Sequence, residues 1–99
     1  MSLTIKFYRK ANREYVEAYD WYEEQSEGLG ERFENSLLEA VNSIANNPLH
    51  YQEKKMSSRE CKLHNFPYLV VYRIFPKQNK IYILSIFHTS RNPKRKYRK

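Results

Sequence analysis

Apolar and polar side chains alternate at the start of the chain, with Leu3, Ile5 and Phe7 on one side and Thr4, Lys6 and Tyr8 on the other. This two-residue period predicts a short, half-buried strand suited to a sheet edge. From about Lys10 the period becomes helical. Ala11, Tyr15, Ala18 and Tyr22 recur at i, i+4, i+7 and i+11, while Glu14, Glu17 and Glu24 point away, so residues 10–26 read as an amphipathic helix. A second stripe, Leu29, Phe33, Leu37, Ala40, Val41 and Ile44, predicts another helix from about Leu29. The chain's only two glycines, Gly28 and Gly30, stand between the stripes, and so short a joint favours an antiparallel helix pair. Asn46-Asn47-Pro48 stops the second helix, because a proline ring disfavours helical geometry in the residue before it.

Residues 49–57 carry no period and read as a loop. Three β-rich runs follow: RECKLHNF (59–66), YLVVYRIF (68–75) and IYILSIFH (81–88). Pro67 separates the first two, and PKQNK at 76–80 reads as a hairpin connection between the others. The middle run is apolar on both faces, which places it inside the sheet. The order is therefore β-α-α-β-β-β: an α+β fold with a helical hairpin packed on one face of a mostly antiparallel sheet. Residues 1–99 form a single domain, since a chain of this length supports one modest core, and 91–99 is its basic C-terminal tail.

Charge adds a direction to this layout. Residues 11–50 hold nine acids and two bases, whereas residues 51–99 hold thirteen bases and two acids, within a net charge of +7. An acidic helical hairpin followed by a basic sheet implies a phosphate-bearing or otherwise acidic partner. Arg59, Lys62, His64, Arg73, His88 and Arg91 are expected on or beside the exposed sheet face, and Lys94, Arg95, Lys96 and Arg98 extend it. The apolar runs are far below the roughly 20 residues that a membrane span needs. The N-terminus lacks the features of a secretory signal, and the single Cys61 agrees with a reducing compartment, so the cytosol is the expected location.

The candidate chemistry is limited. His50, His64, His88 and Cys61 have no metal-site spacing, so neither a metal nor a cofactor is expected. There is no glycine-rich phosphate loop and no nucleophile elbow. Most of the nine tyrosines fall on core stripes; Tyr68 and Tyr72 are the candidates for the solvent side of the sheet, and Tyr97 stands in the tail. Metal-free RNA cleavage needs a base, an acid and cations around one phosphate. His88 offers the base or acid, Arg59, Arg73 and Arg91 the clamp, and Tyr97 a further proton donor.

Four stretches carry a resemblance: WYEEQSEGLGERFENSL (21–37), NNPLHY (46–51), FPYLVVYRI (66–74) and IFHTSRNP (86–93). In that order and spacing the chain resembles the RelE/ParE superfamily of small toxins from bacterial type II toxin–antitoxin modules. The resemblance implies a cytosolic toxin bound and silenced by a cognate antitoxin in a hetero-oligomer, with a role in plasmid stabilisation and growth inhibition. RelE-like members cut messenger RNA on the ribosome, whereas ParE-like members inhibit DNA gyrase without catalytic groups. The GLG joint, the FPY turn and the H-x-x-R-x-P ending look more ParE-like. Arg59, Arg91 and Tyr97 lie roughly where RelE-like enzymes carry their active-site arginines and tyrosine. The resemblance thus implies gyrase inhibition first, with a metal-independent endoribonuclease or a non-catalytic nucleic-acid-binding module as alternatives.

Overall fold

The computed structural model describes residues 3–91. Strand β1 (Thr4–Phe7) leads into helix α1 (Arg9–Gln25), and helix α2 (Leu29–Asn46) returns beside it. After a loop come β2 (Ser58–Lys62), β3 (Tyr68–Phe75) and β4 (Lys80–His88). The helix boundaries lie within a residue or so of the periodicity.

The joint between the helices depends on both glycines. Gly28 has a φ of +86°, a left-handed conformation that glycine adopts without steric cost. Gly30 is buried, and a Cβ there would stand 3.0 Å from the Tyr19 carbonyl oxygen. The Glu23 carboxylate accepts the Gly28 and Gly30 N–H groups, each at 3.0 Å, and so satisfies orphan donors at the start of α2.

The four strands lie in the order β1-β4-β3-β2. β2, β3 and β4 pair antiparallel, while β1 pairs parallel to β4, which makes the sheet mixed. The core lies between the sheet and the hairpin. Phe33, Ile44, Val70, Tyr72, Ile81 and Ile83 are fully buried in it, each apolar side chain contributing about 1.5–3 kcal/mol. Phe66 and Tyr68 close one end against Tyr22 and Phe33, at ring separations of 5.0–6.3 Å.

A bulge interrupts the β3–β4 ladder. Tyr72 pairs with Ile83 but Val71 pairs with Ser85, leaving Leu84 as the extra residue. Here Glu14 reaches in from α1. Its Oε1 accepts the Ser85 hydroxyl at 2.8 Å and the Ile86 N–H at 3.0 Å. Glu14 does not point away from the core, as its helical phase suggested; it ties α1 to the middle of β4.

Candidate functional site

Directly paired residues on neighbouring strands share a face of the sheet, so register locates the expected site residues. Arg59 pairs with Tyr72, and His88 with Tyr68. Both tyrosines belong to the helix-side core or pack against it; Tyr72 is fully buried. Tyr68 and Tyr72 are therefore not solvent-side stacking residues, and Arg59 and His88 stand on the helix side with them. Lys62 pairs with Leu69, and Arg73 with Ser58, on the opposite face. The single basic face expected from sequence is divided in two. Tyr97, Lys94, Arg95, Lys96 and Arg98 lie outside the described residues.

Arg59 holds a loop in place. Its Nη1 donates to the Tyr51 carbonyl at 2.5 Å, and its Nη2 meets Glu53 at 3.4 Å. Glu53 also bridges Arg59 through the backbone. Above this clasp the Tyr72 hydroxyl donates to the Pro48 carbonyl at 2.5 Å. Burial pushes the Tyr72 phenol up to about 12, so it remains a donor at neutral pH.

His88 and Arg91 do come together, at a groove where α1 crosses the end of β4. The cavity, of about 380 Å³, has Glu14, Glu17 and Trp21 on the helix side, Tyr22 and Tyr68 at its base, and His88 and Arg91 on the strand side. Trp21 is 57% exposed. The His88 ring meets Tyr68 edge-on at 4.9 Å. The Ser90 N–H donates to His88 Nδ1 at 3.1 Å, which makes Nδ1 an acceptor and puts the proton of the neutral ring on Nε2. Burial raises the Tyr68 phenol, with nearby Arg91 pulling weakly the other way. The groove carries carboxylates on its helix side and the Arg91 guanidinium on the other. The members on α1 were missed because the sequence presents them as a solvated helix face.

The register also sets a distance. Four residues of β3 separate the Arg59 and His88 positions, on strands that flank β3 from opposite sides. At about 3.3 Å per residue and 4.8 Å per strand, their backbones are roughly 16 Å apart. Arg59 is engaged by the Tyr51 carbonyl and Glu53 and does not line the groove. Among the described residues no group of three His, Cys, Asp or Glu side chains could hold a metal ion, and no helix is long and apolar enough to cross a membrane.

An acidic helical hairpin on a four-stranded mixed sheet makes this a small α+β protein. The model for the ParE toxin of the type II toxin–antitoxin system parDE matches residues 5–93, and the chain belongs to that family. Among solved structures, the chain is similar to one from the chromosomal ParDE toxin–antitoxin system of P. aeruginosa, with a TM-score of 0.73 and 20% identity. That match covers 89% of this chain and 97% of the other. No curated protein matches the sequence.

Proposed function

We propose that this ParE-family toxin arrests growth by inhibiting DNA gyrase in the cytoplasm, and that a cognate antitoxin silences it in a hetero-oligomer. The observation that supports a non-catalytic inhibitor is the separation of Arg59 from His88 and Arg91. A metal-free nuclease needs its base, acid and cations within reach of one scissile phosphate. Here Arg59 is engaged by Tyr51 and Glu53, two strands from the groove. Family membership supports the antitoxin, and the ParE-like motifs support gyrase as the target.

The pairing of His88 with Arg91 favours a second reading, ribosome-dependent cleavage of messenger RNA. Inducible expression separates the two, with growth, plasmid supercoiling and messenger RNA integrity followed in the same cells. Growth arrest with loss of negative supercoiling and intact messenger RNA is expected, relieved when the antitoxin is co-expressed. Cleaved messenger RNA, protected by His88→Ala or Arg91→Ala, would replace gyrase inhibition with the nuclease reading.

A further inference from the structure

The outer face of the sheet carries two cross-strand rows at the end where β3 turns into β4. Lys6, Tyr82 and Arg73 stand opposite one another on β1, β4 and β3, placing a ring between two cations. The adjoining row is Thr4, Lys80 and Phe75. Tyr8, just beyond β1, brings its ring within 5.4 Å of Tyr82, and Phe75 meets Tyr82 edge-on at 5.2 Å. The Arg73 guanidinium lies over the Phe75 ring at 5.0 Å. Lys77 is exposed on the turn at the same end.

Aromatic rows of this kind also stiffen a sheet, but the charges need a separate explanation. Lys6, Arg73, Lys77 and Lys80 bring four positive charges to this end of the sheet. The strands hold a single carboxylate, Glu60, which lies in register with Val71, two residues along β3 from Arg73. The rings are half-buried, so their remaining surface faces solvent between the cations.

We propose that this strip binds single-stranded nucleic acid, with the phosphates on Lys6, Arg73 and Lys80 and unpaired bases against Tyr82, Phe75 and Tyr8. Cations that follow a backbone, interleaved with rings that accept any base, are what single strands require. A duplex hides its base faces from the rings, and an acidic peptide would use the cations alone. The strip goes beyond the toxin reading and is independent of the enzyme that the toxin inhibits.

The test is fluorescence anisotropy of a labelled oligo-dT strand with the full chain at several salt concentrations. Salt-sensitive binding is expected. The Lys6→Gln/Arg73→Gln double variant should flatten the logarithmic salt slope by about 1.4, at about 0.7 per lost phosphate contact. Tyr82→Ala should weaken binding about tenfold while Tyr82→Phe retains it. The charge pair is on the surface, so that variant carries the test even if Tyr82→Ala disturbs the fold. Failure of the wild type to bind the strand would overturn the proposal, as would an unchanged slope in the charge variant. A duplex bound as tightly as the single strand would also overturn it. Displacement by polyglutamate as effective as by unlabelled oligo-dT would assign the strip to an acidic protein. Supercoiling measured alongside keeps the outcomes distinct, because failure to inhibit gyrase leaves the anisotropy result standing.

Discussion

At Gly28 and Gly30 two glycines two positions apart are required for different reasons, and substitution distinguishes them. A Cβ on Gly28 meets nothing within 4 Å, so the cost there is the backbone's alone. Gly28→Val should lower stability by about 1 kcal/mol or more, and Gly28→Asn should recover most of that because asparagine tolerates the left-handed region. At Gly30 the obstacle is the Tyr19 carbonyl, and even Gly30→Ala should cost about 1–3 kcal/mol with no rescue by asparagine. Thermal unfolding of the four variants checks the pattern. Met56 and Ser57 present the opposite case. They have φ values of 58° and 59° at the centre of a tight turn closed by Ser58 N–H on the Lys55 carbonyl. Positive φ at both central positions is the type I′ pattern, for which asparagine and glycine are the favoured pair. Met56→Asn and Ser57→Gly should each stabilise the protein by about 0.5–1 kcal/mol, seen as a raised unfolding midpoint.

Between elements, single side chains join what the backbone leaves apart. Glu14→Ala would strip acceptors from the buried Ser85 hydroxyl and the Ile86 N–H, at a cost of about 1–3 kcal/mol. Arg59→Ala would release the Tyr51 carbonyl at about 1.5–3 kcal/mol, and the exposed Glu53 end of the clasp adds little. Denaturant unfolding measures both losses; growth arrest by Arg59→Ala protein that remains folded would agree with a structural role for this arginine. These elements also show where the sequence was legible. The helices follow from an unbroken 3.6-residue period, which depends on the chain alone. A strand's period, by contrast, does not name its partner, and the parallel pairing of β1 with β4 was not foreseen. In β4 the bulge at Leu84 shifts the alternation by one residue, so that Ile81 and Ile83 share the helix side with Ile86 and His88. Strict alternation would have put His88 on the other face. β3 is apolar on both faces, so its pattern could not reveal that Tyr72 points inward. Among the candidate site residues, His88 and Arg91, three apart in the chain, line one groove, whereas Arg59 lies two strands away, a placement that strand order decides.

Across the whole molecule the tyrosines form a system with one response to pH. Burial raises the phenols of Tyr15 and Tyr72 to about 12, with Glu34 adding to the effect at Tyr15 by accepting its hydroxyl. Tyr22, Tyr51 and Tyr68 are also raised. In the unfolded chain a tyrosine ionises near its ordinary value of about 10. Each raised group therefore contributes stability that is fully present below about pH 10 and is lost as pH rises through its native-state value, about 12 for Tyr15 and Tyr72, because the unfolded state sheds protons that the native state keeps. Chemical unfolding across pH 8–12 at high salt should thus show a stability plateau followed by a steep decline above about pH 10. Tyr72→Phe removes one contributor and leaves the Pro48 carbonyl without its donor, so this variant should be less stable by about 0.5–1.5 kcal/mol on the plateau. Its decline should be shallower than that of the wild type. An equal slope in both proteins would show that Tyr72 ionises as readily in the core as in the unfolded chain.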